Sequence, residues 1–134
     1  MQKEICKLCG KVELVIKRET ENVIIRGETV EYENEYCNCL YCGAEYENPN
    51  MMDKNLKKAR DAYRKKVSLL ISDKIINIRK MLSLSQRDMS LILGMGEATI
   101  ARIESKIIQD RSANDSMRCI VEYPLFFIKK IDAT

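Results

Sequence analysis

The stretch SQRDMSLILGMGEATIARIESK, residues 85–106, predicts two short helices joined by a tight turn. Ser85 suits the N-cap of the first helix, because its hydroxyl can accept a hydrogen bond from the first helical turn. Gly94 follows the last apolar residue at helical spacing, where a left-handed C-cap favours glycine. The second helix, predicted over 97–104, places its two isoleucines on the inner face. Its outer face is small and polar, so this helix could lie deep in a groove.

This stretch resembles the helix–turn–helix of Xre-type repressors. Gln86 opens the first helix, Ser90 is the small residue that lets the helices pack closely, and Gly94 stands at the turn. The apolar positions of that family fall on Met89, Leu93, Met95, Ile100 and Ile103. The resemblance implies that the second helix faces the DNA major groove, where Arg102 can bond guanine O6 and N7 together. The predicted DNA-contacting residues are Gln86, Arg87, Glu97, Ala98, Thr99, Ala101, Arg102 and Lys106. A plain helical hairpin in an all-α core is the alternative.

The composition of the 134-residue chain, with 46% apolar and 32% charged residues, is that of a globular protein. No apolar run approaches the roughly 20 residues of a membrane span, and no signal peptide is recognisable. We therefore expect a cytoplasmic protein. The chain has no histidine, which excludes His-based triads, histidine general bases and zinc fingers with mixed Cys and His ligands. We do not expect an enzyme.

The net charge of +3 conceals an asymmetry between the two parts of the chain. Residues 1–52 contain 6 Lys/Arg and 10 Asp/Glu, whereas residues 53–134 contain 17 Lys/Arg and 10 Asp/Glu. The basic part contains the helix–turn–helix, as expected of a DNA-binding region.

Two CxxCG knuckles, at residues 6–10 and 39–43, predict a metal site. The spacing lets two thiolates from one tight turn bind one ion, and four thiolates make a closed tetrahedral zinc site without an open position for catalysis. We expect one structural Zn²⁺ per chain. The predicted ligands are Cys6, Cys9, Cys39 and Cys42. Free or redox-active thiols are the alternative.

Two further cysteines are left out of the ligand set. Cys37 lies beside the second knuckle but outside the CxxCG pattern. We interpret it as a small apolar residue next to the site, with a spare ligand or redox-responsive thiol as the alternative. Cys119 falls on an apolar helix face and is expected in the core.

Short β-branched segments between the knuckles predict a small antiparallel sheet of about three strands, over 12–16, 22–25 and 28–32. Turns are expected at 20–22 and 26–28. Three glutamates alternate along what is expected to be a strand face: Glu31, Glu33 and Glu35, with Glu28 close by. This face is either solvated or a docking surface for a basic partner.

We predict an α+β fold in which a small zinc-bound antiparallel β domain precedes an all-α, five-helix domain. Residues 1–50 form the four-cysteine zinc-binding domain, 51–70 a basic linker helix, and 71–134 the Xre-type helix–turn–helix DNA-binding and dimerisation domain.

Asp53 is expected to cap the linker helix. Its apolar stripe is predicted at Leu56, Ala59, Tyr63, Val67 and Leu70. Its basic face is predicted at Lys54, Lys57, Lys58, Arg60, Arg64, Lys65 and Lys66, for solvent or DNA phosphates.

Three more helices are predicted around the helix–turn–helix. One is capped by Ser72 and covers 73–82, a second covers 112–122, and a third covers 125–131 after Pro124, which is tolerated at the first helical position. The apolar end, which includes Phe126 and Phe127, covers either the core or a dimer interface. We favour the dimer, since helix–turn–helix proteins usually bind paired half-sites.

The order of these parts resembles the MqsA-type antitoxins, also described as YgiT-type zinc finger proteins. The resemblance implies a structural zinc, a zinc domain that neutralises a small toxin, often an mRNA-cleaving ribonuclease, and a C-terminal domain that dimerises and represses its own promoter. In that family the base-reading pair is an Asn and an Arg. Arg102 matches the Arg, but Ala98 stands at the Asn position, so a different operator is expected.

Two other functions compete with this interpretation. A stand-alone regulator of phage or mobile-element type would use the zinc domain only for folding or assembly. An enzyme, or a metal or redox sensor, is the third possibility, and a sensor would require Cys37 or a labile zinc.

Overall fold

The computed structural model describes residues 2–132, so the ends of the predicted domains at Met1 and Thr134 lie outside the described residues. Contacts between residues divide the chain after Tyr63 into two compact units, called unit 1 and unit 2 below. The predicted α+β class is confirmed: an antiparallel sheet is followed by helices. No helix within residues 2–132 is long and apolar enough to cross a membrane.

The sheet of unit 1 has the strand order β1-β2-β3, with β1 at Leu14–Ile25, β2 at Glu28–Cys39 and β3 at Glu45–Tyr46. Strands β1 and β2 pair along their whole length, from Leu14 opposite Cys39 to Ile25 opposite Glu28. The turn expected at 20–22 was wrong. Strand β1 continues through these residues, because each finds a cross-strand partner on β2 and no glycine or proline interrupts the segment.

The β1–β2 hairpin turns at Arg26 and Gly27, where a turn was predicted. Both residues have positive φ, 48° and 82°. This sign at both central positions is that of a type I′ turn, whose twist matches the right-handed twist of the paired strands. Strand β3 was not predicted, since two residues are too short to show alternation.

Helix α1, Pro49–Lys66, begins earlier than expected. Asn48, rather than Asp53, caps it: the Asn48 Oδ1 atom accepts a hydrogen bond from the Met51 N–H at 2.8 Å, and proline occupies the first helical position. The asparagine side chain and the proline together satisfy the start of the helix, so no later cap is needed.

The buried face of α1 also differs from the predicted stripe. The residues of α1 buried within unit 1 are spaced by four: Met51, Asn55, Ala59 and Tyr63. Leu56 is 55% exposed, and α1 ends before Val67 and Leu70. Asn55 explains the rotation of the helix, because its amide accepts from Glu35 N–H (2.9 Å) and donates to Glu35 C=O (2.8 Å) on β2. The polar Asn55 with its two strand partners therefore faces the sheet, and Leu56 lies on the exposed side.

Unit 2 contains the five predicted helices: α2 at Ser72–Met81, α3 at Gln86–Ile92, α4 at Thr99–Ser105, α5 at Arg111–Glu122 and α6 at Pro124–Asp132. Their inner faces form one apolar core: Ile75, Ile78, Met89, Ile92, Ile100, Ile103, Met117, Ile120 and Phe127. Cys119 packs partly buried against this core, as predicted.

Two helix starts in unit 2 differ from the prediction. Ile71, not Ser72, occupies the N-cap of α2, and Ser72 is a buried first residue of the helix. Helix α5 begins one residue early, because the Asp110 carboxylate caps it by accepting from Ala113 N–H at 2.7 Å.

Arg64 was predicted on the exposed basic face of the linker helix, and this was wrong, since the side chain is fully buried in unit 2. Its Nη2 donates to the carbonyl oxygens of Ile103 and Ile107, each at 2.9 Å, and its Nε donates to Gln109 Oε1 at 3.0 Å. The Gln109 side chain in turn donates to Leu70 C=O at 2.8 Å. Arg64 therefore binds backbone carbonyls at the C-terminal end of α4.

Candidate metal centre and nucleic-acid interface

The sulfur atoms of Cys6, Cys9, Cys39 and Cys42 all lie within 4.8 Å of one another. The Cys6–Cys42 sulfur separation is 3.8 Å and the Cys9–Cys39 separation is 3.6 Å. Four sulfurs placed tetrahedrally about 2.3 Å from one ion would be about 3.8 Å apart. The four predicted ligands therefore form a cluster with the dimensions of a four-thiolate metal site.

Both knuckles have the same local geometry. Gly10 N–H donates to Cys6 C=O, and Gly43 N–H donates to Cys39 C=O, each at 2.9 Å. These glycines have φ values of +76° and +75°, which explains the glycine in the CxxCG pattern, since side chains disfavour this region. The turn also directs backbone N–H groups at sulfur: Leu8 N–H to Cys6, and Cys42 N–H to Cys39, both at 3.4 Å.

These backbone donors shift the titration of the first cysteine in each knuckle. The N–H groups of Cys9 and Leu8 stabilise the Cys6 thiolate and lower its pKa to about 6. The Cys42 N–H lowers the pKa of Cys39 in the same way. For Cys9 the Lys11 N–H also lowers the pKa, but burial and the adjacent thiols outweigh it and raise the pKa to about 12. Four thiols this close together do not all ionise readily, because their thiolate charges would repel one another. A bound cation would offset this repulsion.

Cys37 lies outside the four-sulfur cluster and in the small core of unit 1. Its sulfur is 3.6 Å from the Met51 sulfur. Burial raises the pKa of the Cys37 thiol above its usual value. These surroundings are those of an apolar packing residue and do not favour a reactive thiolate.

The helix–turn–helix of unit 2 has the expected cap and turn. Ser85 Oγ accepts from Asp88 N–H at 3.0 Å, and Gly94 has a φ of +74°. Helix α4 begins at Thr99 rather than at the predicted residue 97, because Glu97 and Ala98 form a turn before it. The inward positions of Ile100 and Ile103 are confirmed, as both are buried.

Ser90 contributes more than its small size. Its buried hydroxyl donates to Gln86 C=O at 2.9 Å and accepts from the Ile100 N–H at 3.0 Å. The second bond satisfies a donor in the first turn of α4, so Ser90 ties that helix to α3. Sequence reasoning found the position through its size and missed the hydroxyl.

The predicted DNA-contacting residues differ in exposure and in their partners. The exposed ones are Arg87, Glu97, Ala98, Arg102 and Lys106, and the half-buried ones are Gln86, Thr99 and Ala101. Arg87 and Glu97 form an exposed ion pair at 2.7 Å. The Arg102 side chain has no hydrogen bond or ion pair within residues 2–132, so its guanidinium is available to a ligand.

A partly buried ion pair joins α2 to α4, the second helix of the helix–turn–helix. Arg79 on α2 donates to both carboxylate oxygens of Glu104 on α4, at 2.9 and 3.1 Å. Glu104 also accepts from Gln86 at 3.2 Å, and the pairing raises the pKa of Arg79. The pair orients Gln86 at the start of α3. Neither charged residue was predicted as a site residue, although Glu104 lies within the stretch 85–106 that resembles the Xre-type helix–turn–helix.

Residues 4–123 match the sequence model of a family described as "Antitoxin component of bacterial toxin-antitoxin system, MqsA". The chain belongs to the MqsA antitoxin family. The match covers the four-cysteine cluster and continues to the end of α5, so the family resemblance inferred from the sequence is confirmed. MqsA antitoxins are regulatory proteins that are generally not enzymes, and membership implies a toxin partner. A comparison with curated protein sequences gave no match.

Proposed function

We propose that the chain is the antitoxin of a type II toxin–antitoxin system, that unit 1 neutralises a small toxin, and that unit 2 represses its own operon by binding promoter DNA as a dimer. The observation that carries this proposal is the match to the antitoxin family over residues 4–123.

The metal is proposed to be one structural Zn²⁺ per chain, held by Cys6, Cys9, Cys39 and Cys42. A donor set of four sulfurs in a compact cluster is typical of structural zinc, which holds chain segments together and leaves no position for substrate. A unit of about 60 residues is only marginally stable by packing alone. Zinc would contribute about 10–16 kcal/mol to folding in such small domains.

DNA binding is proposed for the exposed side of α3 and α4. Arg102 would read a guanine, while Lys106 and Arg87 would contact phosphates. Arg87 has to leave Glu97 to do so, and this costs little because exposed ion pairs contribute only about 0–1 kcal/mol. Ala98 offers no hydrogen bond to a base, so it can contribute only apolar contact, for example with a thymine methyl group.

Dimerisation is proposed for the C-terminal end of unit 2. Phe127 is buried in the core, but several large apolar side chains around it are exposed: Val121, Tyr123, Leu125, Phe126 and Ile128. Exposed apolar side chains concentrated within residues 121–128 are typical of protein interfaces. A twofold dimer would present two copies of α4 to half-sites about one helical turn apart.

The toxin is proposed to be a small protein encoded beside this chain, of the mRNA-cleaving ribonuclease class that the family resemblance implies. The tagged chain would be captured from its native host at moderate salt, and its partners identified by mass spectrometry. A stoichiometric small protein from the neighbouring gene, toxic when expressed alone and harmless when coexpressed, is the expected result. Recovery of promoter DNA without such a protein would favour the stand-alone regulator instead.

A further inference from the structure

Exposed apolar side chains surround the four-cysteine cluster of unit 1. Leu8, in the first knuckle, is 73% exposed, and Tyr41, in the second, is 67% exposed. The set, called the knuckle patch here, is Ile5, Leu8, Val12, Leu40 and Tyr41, and every member is more than half exposed. Scattered apolar residues are normal on a surface, but a concentration at one place marks an interaction site.

The contacts of unit 1 bring the members of this patch together. The sulfurs of the two knuckles lie within 4.8 Å of one another. Leu8 and Tyr41 are the residues immediately before Cys9 and Cys42 in the sequence. Leu40 N–H donates to Glu13 C=O at 2.9 Å, which places it beside the segment that contains Val12. The Lys11 ammonium lies 5.4 Å from the centre of the Tyr41 ring. These contacts bring the two knuckles and the segment with Val12 close together around the cluster.

Two lysines lie next to the knuckle patch, together with the acids Glu4 and Glu13, of which Glu13 is paired with Lys3 at 2.9 Å. Lys7 and Lys11 are exposed within or beside the first knuckle. The Lys7 ammonium has no ion pair within residues 2–132, and the described contact of Lys11 is with an aromatic ring. An apolar centre with cations at its border has the form of a protein interface and fits a partner with carboxylates around an apolar surface.

The negative charge of the strand face at Glu31, Glu33 and Glu35 is largely offset by basic side chains of unit 1. Glu35 pairs with Arg18 at 2.9 Å and with Lys58 at 3.7 Å. Glu33 lies 3.5 Å from Arg18 and 4.0 Å from Lys58. These pairs hold the pKa of Glu35 below its usual value, with the Arg18 hydrogen bond as the largest cause. Two of the three alternating glutamates are thus already paired.

We propose that the knuckle patch is the surface through which unit 1 binds its toxin, and that the toxin presents an apolar surface bordered by carboxylates. This inference rests on the proposed antitoxin function and specifies its site. A second copy of the chain fits less well, because a twofold contact through the patch would bring Lys7 and Lys11 against their own counterparts.

The test uses the full chain and the purified product of the neighbouring gene. Leu8→Gln and Tyr41→Gln shorten or remove apolar contact without adding charge, and each should weaken binding at least ~30-fold, as for an interface hot spot. Ile24→Gln is the matched control, because Ile24 is 71% exposed near the hairpin turn of the same unit, and it should leave the affinity within about twofold. Lys7→Glu should slow association at low salt and lose that effect at high salt.

The metal content of each variant separates a surface effect from a folding defect. If Leu8→Gln retains less than the metal content of the wild type, Val12→Gln takes its place, since Val12 lies outside both knuckles.

Unchanged affinity for the toxin in the patch variants, with the wild type binding normally, overturns the proposed surface and leaves the antitoxin function intact. Failure of the wild type to bind the neighbouring product overturns both. A patch variant that binds toxin normally but no longer self-associates identifies a second copy as the occupant.

Discussion

At the scale of single residues, the Ser90 hydroxyl is the acceptor that satisfies the buried Ile100 N–H at the start of α4. Ser90→Ala keeps the side chain small but removes this acceptor, and we expect it to lower the free energy of unfolding of unit 2 by about 1–3 kcal/mol. Ser105→Ala is the matched control, because that exposed hydroxyl also donates to the carbonyl four residues earlier. Urea unfolding followed by circular dichroism measures both. Equal losses would mean that the bond to Ile100 contributes nothing.

Arg102 is also a residue-scale case, because its exposed guanidinium has no described partner. Arg102→Ala should cost about 1–3 kcal/mol of specific promoter binding and relax the preference at one base pair. Lys106→Ala, in contrast, should weaken binding to all sequences alike and reduce the salt slope by about 1, as for a phosphate contact. Fluorescence anisotropy with the promoter and a scrambled duplex, at several salt concentrations, distinguishes the two. Undiminished specificity in Arg102→Ala would remove it as a base reader.

At the scale of elements, the end of α4 depends on an arginine that precedes it by some forty positions. Arg64→Met retains apolar bulk but leaves the carbonyls of Ile103 and Ile107 without this donor in a buried place. We expect a loss of about 2–5 kcal/mol in the stability of unit 2. Lys65→Met is the control, since Lys65 is exposed and should change stability by about 0.5 kcal/mol or less. Thermal unfolding by circular dichroism compares them, and equal melting temperatures would contradict the role of Arg64.

The element predictions succeeded at several positions where local chemistry was decisive, but they missed the equally local caps at Asn48 and Asp110. The caps at Ser85 and Gly94 and the turn at 26–28 were found because short-range hydrogen bonds and backbone preference determine them. The long hairpin was predicted as separate pieces, since Thr20 and its neighbours are paired only by residues of β2 that are distant in sequence. The face of α1 was misjudged for the same reason: Asn55 is polar in sequence, but its partners on β2 make its burial favourable.

At the scale of the whole molecule, the metal should stabilise unit 1 alone, because every proposed ligand lies before Tyr63. We expect Cys9→Ser, or removal of the metal by a chelator, to unfold unit 1 while unit 2 keeps its helical signal. Cys37→Ser is the matched control. It replaces a buried cysteine outside the cluster and should retain the metal content of the wild type and its promoter binding.

Metal analysis and far-ultraviolet circular dichroism with thermal melting measure these outcomes. The wild type should show two separate thermal transitions. Loss of only the unit 1 transition in Cys9→Ser would agree with the division after Tyr63. A single transition in which both units melt together would show that they unfold as one cooperative system.

The amino-acid sequence was sufficient for the family, the four clustered cysteines and the helix–turn–helix, because each depends on residue type at short fixed spacing. It was insufficient for the burial of Arg64, the second bond of Ser90 and the rotation of α1. Each of these depends on partners supplied by another element, and the stability of a buried polar group is determined by those partners rather than by its own chemistry. The knuckle patch belongs to the second group, since the knuckles that carry Leu8 and Tyr41 come together only when the four sulfurs meet.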